Sequence, residues 1–497
     1  MDTLTRDTAR SYIWNQLAFV LDGLTLTLAS VCVGRLAGRD ALGTFSWVLS
    51  MAGLVALVAA LGFKEGIAVL VQKVEDDAAL RGLFRRLLTI RLWAAVVTVV
   101  VTAVLLWHRA SPPIALGVAA YVGAVLVAGL LSAFNVALFQ TRAVAFGKIA
   151  SCIVSVGIVA AGAAVGSVAL AFVGLSIGTI VGGALFFLPL RRIAFGPASP
   201  CRLSHALQLP LTLAIVAVSN YLIGSQAASF LLKYARIADG EIAVFSVGVT
   251  VAFVSNRALM GGFTSVILAA FSRAADAEHL ARLHSLYVRA TTILSMPMLL
   301  ASVVFAPLIA RIWLKGDIGD SAFIINVLVA WSIAARLMGG GAHSAALYSS
   351  GLQNIGLVVR AFFGALSVVA VYFAAAHMGI RTAASAAGAV GFLVIAVEWI
   401  VVYRMRAIGM PWTALARLTL YSLAASVPAW LLTLPGRPAL TILAVPIFAL
   451  GAIAALILAK PLSAGEASDI AGHGLLSKVL VRLETPASAA TLESQAS

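Results

Sequence analysis

Charged residues lie within several long apolar stretches of this sequence. Asp22, Arg257 and Arg336 lie near the middle of such stretches, and Glu398 lies nearer the end of another. A charge at the centre of a membrane helix costs about 2.5–3.5 kcal/mol on insertion scales, so it usually faces a cavity or a partner of opposite charge. We therefore treat these four residues as the first candidates for a functional site.

The two arginines suit an anionic ligand. A guanidinium group is planar and donates two hydrogen bonds side by side, which matches the geometry of a phosphate. Arg257 and Arg336 are therefore predicted to bind an anionic headgroup in a central cavity. A second interpretation stays open, in which they form internal ion pairs, for instance Arg257 with Asp22 or Arg336 with Glu398. Arg360 lies close enough to the start of its stretch to reach the membrane interface.

The two acids have a different predicted role. A carboxylate in a site of low dielectric can exchange a proton near neutral pH, so Asp22 and Glu398 are predicted to bind a coupling proton or sodium ion. Neutralisation of an arginine is the other explanation for Asp22. Asn220 and Asn256 complete the predicted substrate-binding set, although a hydrogen bond between helices would explain either asparagine equally well.

Three consecutive glycines interrupt another apolar stretch. Gly339, Gly340 and Gly341 weaken a helix at its middle, because glycine is the poorest helix former after proline. They predict either a hinge or an unwound segment that lines a pathway, or a place of close packing against another helix.

The composition excludes a soluble protein. Of the 497 residues, 62% are hydrophobic and 11% are charged, whereas a soluble domain has about 25% charged residues. The mean hydropathy is +1.05. A soluble enzyme, a nucleic-acid binder and a disordered chain are therefore excluded. No cofactor or metal is expected, because the sequence has no Walker A or zinc motif and Cys32, Cys152 and Cys201 are widely spaced.

The apolar stretches have the length of membrane helices. A helix needs about 20 apolar residues to cross the hydrocarbon core, and stretches of this kind predict about 14 spans. The predicted spans are 12–34, 41–62, 88–107, 114–139, 149–169, 171–190, 210–232, 242–271, 290–312, 322–349, 357–377, 380–404, 416–434 and 439–459. With the N-terminus in the cytoplasm, most of the 34 lysines and arginines fall in cytoplasmic segments. Both termini are therefore predicted to be cytoplasmic, and the net charge of +15 reflects topology rather than nucleic acid.

The chain contains an internal repeat at a shift of 200 residues. Phe45-Ser46 falls on Phe245-Ser246, Asp76 falls on Asp276, and the order of spans and loops agrees in the two copies. Six spans separate the copies, so both have the same orientation, as in transporters built from parallel repeats. We predict an all-α polytopic membrane protein with two pseudo-symmetric six-helix lobes and an appended C-terminal helix pair. The predicted boundaries are 1–200 and 201–405 for the lobes, 406–460 for the pair and 461–497 for a cytoplasmic tail.

Three segments resemble a known family. Segment 33–46 (VGRLAGRDALGTFS) is similar to the turn between the first two spans of Wzx-type polysaccharide flippases, and segment 238–247 (ADGEIAVFSV) is its second-half counterpart. Segment 305–317 (FAPLIARIWLKGD) resembles the end of the ninth span in that family. These flippases belong to the multidrug/oligosaccharidyl-lipid/polysaccharide (MOP) exporter superfamily.

The resemblance implies a function and a set of partners. It implies two lobes in a V around a cavity, with a polyprenyl-diphosphate-linked oligosaccharide carried across the bacterial inner membrane for surface or exopolysaccharide biosynthesis. It implies that Arg257 meets the diphosphate, and it implies transport rather than enzymatic catalysis. The expected partners are this lipid-linked substrate, membrane lipids, H⁺ or Na⁺ and other polysaccharide-assembly proteins, without nucleic acid. Asp22 departs from the lipid II flippase branch, which has arginine in span 1, and keeps open a multidrug/cation antiporter.

Overall fold

The computed structural model describes residues 3–62, 67, 70, 71, 74, 76–197, 208–257, 271, 276–316, 318–434 and 437–459. For residues 3–13, 208–213, 257 and 438 it describes the backbone alone. Every regular element in this part of the chain is helical, which confirms the all-α prediction. The predicted tail 461–497 and Cys201 lie outside the described residues.

The helices follow the apolar stretches of the sequence. In chain order they are α1 (Thr3–Cys32), α2 (Arg39–Ala60), α3 (Asp77–Trp107), α4 (Pro112–Ala137), α5 (Thr141–Ala164), α6 (Val168–Phe195), α7 (Gln208–Ile223), α8 (Ala228–Tyr234), α9 (Asp239–Arg257), α10 (Ala277–Val304), α11 (Ala306–Trp313), α12 (Ser321–Leu337), α13 (Ala342–Ser349), α14 (Gln353–Met378), α15 (Ile380–Arg406), α16 (Trp412–Thr433) and α17 (Pro438–Ala459). A short π-helical turn, Val33–Ala37, extends α1.

The lengths of these helices fit membrane spans. Within the described residues, 11 helices are long and apolar enough to cross a membrane, and two bent pairs raise the number to 13. The bent pairs are α7 with α8, at 71°, and α12 with α13, at 42°. The remaining predicted span, 242–271, begins as α9 and continues into residues that the structure does not describe. The prediction of about 14 spans therefore agrees with the helices.

The glycine triplet breaks the tenth predicted span. Gly339 and Gly340 have φ angles of +94° and +51°, which lie in the left-handed region that favours glycine. The chain therefore leaves the helix after Leu337 and starts α13 at Ala342. The segment between α12 and α13 is therefore unwound, as one of the two interpretations of the glycine triplet predicts. Movement about it remains a prediction.

The helices pack in two lobes with an appended pair. Helices α1–α6 pack on one another as the N-terminal lobe, and α7–α15 pack as the C-terminal lobe. Helices α16 and α17 pack together and against α10, where the Thr433 hydroxyl donates to the carbonyl of Val304 at 3.3 Å. The boundary predicted at residue 200 lies outside the described residues and stays a prediction.

Equivalent residues of the repeat have equivalent local roles. The Asp76 carboxylate accepts a hydrogen bond from the Ala79 amide at the start of α3, and the Asp276 carboxylate accepts one from His279 at the start of α10. Each aspartate satisfies an amide that the first turn of a helix leaves without a partner. The two aspartates that the predicted repeat pairs therefore have the same local role.

The lobes meet where α2 crosses α9. The Ser46 hydroxyl donates to the Ser246 hydroxyl at 2.9 Å, so two equivalent residues touch across the pseudo-symmetry axis. Beside them, the Thr44 hydroxyl donates to the Asp239 carboxylate at 3.0 Å. A Cβ on Gly43 would lie 1.7 Å from the Asp239 carbonyl oxygen, so the close approach of the two helices requires glycine there.

Further contacts extend this junction. The Arg35 guanidinium donates to the Arg311 carbonyl at 3.0 Å, and the Trp313 indole donates to the Ser30 hydroxyl at 2.9 Å. The Tyr221 hydroxyl donates to the Ser50 carbonyl at 2.5 Å. We call the contacts of residues 30–53 with residues 221–246 and 311–314 the interlobe seam. The seam joins the lobes toward the helix ends that carry the α1–α2 and α8–α9 turns.

Candidate functional site

One polar cluster lies in the N-terminal lobe. The Lys148 ammonium donates to the Asp22 carboxylate at 2.5 Å. The side chain of Lys148 is 26% exposed and that of Asp22 is 59% exposed, although Asp22 lies well inside a membrane helix. The charge of Asp22 also acts on Tyr121 of α4, which interacts with Tyr221 of the other lobe. The pair therefore lies toward the space between the lobes.

A second cluster lies in the C-terminal lobe. The Arg360 guanidinium donates to Glu398 through Nε at 2.6 Å and through Nη2 at 3.1 Å. It also donates to Asn220 and to Ser344, and the Ser344 hydroxyl donates to Glu398 at 2.9 Å. Glu398 is fully buried and the Arg360 side chain is 14% exposed. The cluster is a neutral network in which the buried charges have partners, as burial in an apolar interior requires.

Four helices bring this second cluster together. Asn220 lies on α7, Ser344 on α13, Arg360 on α14 and Glu398 on α15. Ser344 follows the glycine break by three residues, so the 42° bend between α12 and α13 determines where its hydroxyl lies. The sequence placed each of these residues in a span but could not show which helices face one another.

Arg336 lies at the end of α12 and is buried. Its Nε donates to the Asn256 side-chain oxygen at 3.0 Å, and its Nη2 donates to the Asn256 carbonyl at 3.2 Å. Both atoms that it contacts belong to α9, so the bond joins two helices of the same lobe. A Cβ on Gly340 would lie 2.9 Å from Arg336 Nη1, so the guanidinium packs against the glycine break. Asn256 therefore forms a hydrogen bond between helices, with Arg336 as its partner, and the substrate-binding role of both residues stays a prediction.

The described ion-pair partners of Glu398 and Asp22 differ from those suggested by the sequence. The suggested partner of Glu398 was Arg336, whereas its guanidinium partner is Arg360. Arg360 was expected at the membrane interface and instead turns inward to Glu398. For Asp22, the described ion pair is with Lys148. The side chain of Arg257 lies outside the described residues, so its predicted phosphate role stays a prediction.

Sequence reasoning missed Lys148 as a site residue. The predicted span begins at residue 149, whereas α5 begins at Thr141, about 12 Å earlier at 1.5 Å per residue. Arg142 and Lys148 lower the local hydropathy and moved the predicted boundary past both residues. An apolar run that resumes on both sides of Lys148 is the signal that could have placed it inside the helix.

Two histidines form a buried contact in the C-terminal lobe. His284 Nε2 and His343 Nδ1 are 3.1 Å apart, the ring centroids are 5.1 Å apart, and both side chains are fully buried. His343 Nε2 also bonds to the carbonyl of Met338. The contact therefore ties α10 to the turn between α12 and α13. His284 was not among the candidates from the sequence.

No metal centre stands out in the described part of the chain. Among those residues, no three or more His, Cys, Asp or Glu side chains are grouped so that they could hold a metal ion. Cys32 is half-buried and Cys152 is buried, and both are free thiols.

The fold is similar to that of transporters of the MOP superfamily. One is a multidrug resistance MATE family transporter of that superfamily in an inward-facing conformation, with 17% identity, a TM-score of 0.60 and coverage of 78% of this chain and 98% of that one. Another is the lipid II flippase MurJ in an inward closed conformation, with 12% identity, a TM-score of 0.66 and coverage of 88% and 97%. A third is a MOP superfamily transporter from Pyrococcus furiosus, with 15% identity, a TM-score of 0.57 and coverage of 80% and 95%.

The sequence itself matches a family. Comparison with curated proteins gives no significant match. The sequence profile of a family described as polysaccharide biosynthesis protein matches residues 32–317, which is more than half of the chain and includes all of the described contacts of the interlobe seam except that of Ser30. This match and the fold confirm the resemblance to Wzx-type members of the MOP superfamily. The chain therefore belongs to the polysaccharide biosynthesis protein family.

Proposed function

We propose that this protein is a flippase for polyprenyl-diphosphate-linked oligosaccharide in the bacterial inner membrane, where it serves surface or exopolysaccharide biosynthesis. The observation that carries the proposal is the family match over residues 32–317 in a chain with the fold of MOP transporters. A transporter, rather than an enzyme, also suits a chain whose polar clusters lie inside helix bundles.

The proposed mechanism is alternating access of the two lobes. With both termini in the cytoplasm, as proposed, the interlobe seam would lie on the periplasmic side, and we assign this structure to an inward-facing state. The headgroup would enter between the lobes from the cytoplasmic leaflet while the polyprenyl tail stays in lipid. Parting of the seam and closure of the opposite end would then release the headgroup outside, as one lobe rocks against the other.

The chemistry of the proposed substrate explains the polar groups between the helices. The sugars and the diphosphate lose their hydration on leaving water, and unpaired polar groups in hydrocarbon are costly. Basic side chains can replace part of that hydration by charge-assisted hydrogen bonds to phosphate oxygens. We assign this role to Arg257 and Arg336, with Asn256 positioning Arg336 and Asn220 positioning Arg360.

A coupling ion fits Asp22 better than Glu398. Glu398 is fully buried and accepts two hydrogen bonds from Arg360, whereas Asp22 is exposed on a helix that faces the other lobe. We propose that Asp22 exchanges H⁺ or Na⁺ during the cycle. Glu398 then has a structural role, which differs from the coupling role predicted from sequence.

The exposed carboxylate also supports a second candidate function. A cation antiporter needs an acidic group that a cationic substrate can reach, and Asp22 meets that requirement. The same assay separates the two functions, because a flippase moves a lipid-linked anion and an antiporter moves an organic cation.

The test is reconstitution of the full chain in vesicles that contain a fluorescent polyprenyl-diphosphate oligosaccharide in one leaflet. Chemical quenching from outside reports how much headgroup has crossed. We expect transfer by the wild type and loss of transfer in Arg257→Ala, with ethidium accumulation as the antiporter readout. Ethidium transport without headgroup transfer would overturn the flippase assignment, and normal transfer by Arg257→Ala would remove the diphosphate role of Arg257.

A further inference from the structure

The two polar clusters occupy equivalent places in the two lobes. Helix α5 is the fifth span of its lobe and begins at Thr141, and α14 is the fifth span of the other lobe and begins at Gln353. Lys148 and Arg360 each lie seven residues after those starting points. Both cations therefore stand about 10 Å along the corresponding helix, at 1.5 Å per residue.

The partners of these cations correspond as well. Lys148 donates to Asp22 on α1, which is the first span of its lobe. Arg360 donates to Asn220 on α7, which begins the first span of the other lobe. Each lobe thus joins a cation on its fifth span to a side-chain oxygen on its first span.

The two clusters differ in the residue that the sixth span of each lobe contributes. The shift of 212 residues that relates Lys148 to Arg360 also relates Phe186 of α6 to Glu398 of α15. Phe186 is 2% exposed, and its ring packs against Gly147. The C-terminal lobe therefore neutralises its cation with a buried carboxylate on the sixth span, and the N-terminal lobe has an apolar ring there.

Exposure separates the clusters further. In the C-terminal pair, the side chains of Arg360 and Glu398 are 14% and 0% exposed, whereas in the N-terminal pair those of Lys148 and Asp22 are 26% and 59% exposed. An ion pair that water can reach contributes little to stability and is readily replaced by another partner. Replacement of a partner should therefore be costly in the Arg360 cluster and cost little in the Lys148 pair.

We propose that Lys148 is the phosphate-binding residue of the N-terminal lobe and that the cargo phosphate displaces Asp22 from it. Asp22 is then an internal counter-ion that occupies the lysine in this structure and gives way when a phosphate arrives. This inference rests on the proposed function and deepens it, because it assigns the lysine and the competing carboxylate.

The test measures binding of farnesyl diphosphate, a short polyprenyl diphosphate, to the purified full chain by isothermal titration calorimetry. Loss of a charged hydrogen bond predicts at least about tenfold weaker binding in Lys148→Gln. Lys148→Arg keeps the charge and is expected to bind within about threefold of the wild type. Asp22→Asn removes the competitor and is expected to bind more tightly than the wild type.

Lys148→Gln and Asp22→Asn are expected to change binding in opposite directions, which distinguishes loss of a binding residue from loss of structure. Lys148→Gln and Asp22→Asn break the same ion pair, so a common loss of structure would weaken binding in both. Arg381→Gln is the matched control for net charge, since its exposed pair with Asp320 lies away from both clusters. Inorganic diphosphate, titrated in parallel, distinguishes recognition of the phosphates from recognition of the prenyl chain.

Two results would overturn the inference while the flippase assignment stands. The first is wild-type affinity in Lys148→Gln together with normal lipid transfer in vesicles. The second is weaker binding in Asp22→Asn at an unchanged melting temperature, which would make Asp22 a group that positions the lysine. A wild-type protein that neither binds farnesyl diphosphate nor transfers the lipid would overturn both proposals.

Discussion

Glu398 and Arg360 form a buried ion pair that stabilises the fold only while both partners are present. Two hydrogen bonds join them. Asn220 and Ser344 each accept a hydrogen bond from Arg360, and Ser344 donates one to Glu398. Asn220 and Ser344 are neutral, so removal of one charged partner leaves the other buried without a counter-ion. A group that serves stability in this way is a poor site for ion exchange.

The first prediction concerns this pair. We expect Glu398→Gln to lower the free energy of unfolding by about 3–5 kcal/mol, because it leaves the Arg360 guanidinium buried without its counter-ion. Thermal and denaturant unfolding of the purified protein in detergent measure the change. The double variant Glu398→Gln/Arg360→Gln removes both charges and should recover part of the loss. Equal stability of the single variant and the wild type would contradict a structural role.

The second prediction concerns pH and an exposed pair. Arg381 donates to Asp320 at 2.7 Å and 2.8 Å, and this bond lowers the pKa of Asp320 from its ordinary value of 3.8. A carboxylate with a lowered pKa stabilises the fold above its ordinary pKa, and the contribution disappears as pH falls through the lowered value. The pair should therefore be intact at neutral pH and lost below about pH 3.8.

Asp320→Asn removes this dependence. The difference in melting temperature between wild type and Asp320→Asn should be small at pH 7, because the pair is exposed, and should shrink further in acid. A difference that grows as pH falls below 4 would be inconsistent with the lowered pKa.

At the scale of the helices, the glycine break joins several parts of the C-terminal lobe. Arg336 packs over it, His343 follows it, and Ser344 reaches the Arg360 cluster from its far side. The backbone conformation of Gly339 and Gly340 therefore sets the positions of three polar side chains.

The third prediction compares neighbouring glycines. Gly340→Ala should destabilise the protein by about 1–3 kcal/mol, because a side chain at a left-handed residue is strained and the Cβ would lie 2.9 Å from Arg336 Nη1. Gly341 has a φ of −75°, and a Cβ there would have no atom within 4 Å, so Gly341→Ala is the matched control. Unfolding measurements should show a loss in the first variant alone. Equal losses in both would argue against strain at Gly340.

The helices were largely predictable from sequence, and the contacts between their side chains were not. Apolar length located the spans because hydrocarbon thickness fixes how long a helix must be. The same criterion misplaced the start of α5, because charged residues near a helix end lower the mean hydropathy. The Arg360 and Glu398 pair could not be predicted, since it depends on how α14 and α15 are rotated against each other. The sequence analysis singled out Asp22, whose role stays a prediction, but it did not identify Lys148 as the ion-pair partner.

At the scale of the whole molecule, the interlobe seam holds the two lobes together. Its contacts include hydrogen bonds of Ser46, Thr44 and Arg39 to residues of α9. Transport by alternating access requires these bonds to break in each cycle. A covalent bond across the seam should therefore stop transport without unfolding either lobe.

The fourth prediction tests that requirement. In a background where Cys32, Cys152 and Cys201 are replaced by serine, Ser46→Cys/Ser246→Cys should form a disulfide, since the two hydroxyls are 2.9 Å apart. Oxidation should abolish transfer of the lipid-linked oligosaccharide, and reduction should restore it.

A pair within one lobe provides the control for this cross-link. Ser255 and Ser302 lie on α9 and α10 with hydroxyls 2.6 Å apart, so Ser255→Cys/Ser302→Cys tests the chemistry without joining the lobes. Its transfer rate should not change on oxidation. Unimpaired transfer by the oxidised Ser46→Cys/Ser246→Cys protein would mean that the lobes need not separate at the seam.

The contact between Ser46 and Ser246 also bears on how such a chain can arise. In a homodimer, a residue on the two-fold axis meets its own copy, so it must be complementary to itself. A hydroxyl satisfies that condition because it both donates and accepts. The centre of this molecule thus has the self-matching contact that two separate, identical half-length chains would make. Fusion of duplicated halves would preserve it, while leaving positions away from the axis, such as Phe186 and Glu398, free to diverge.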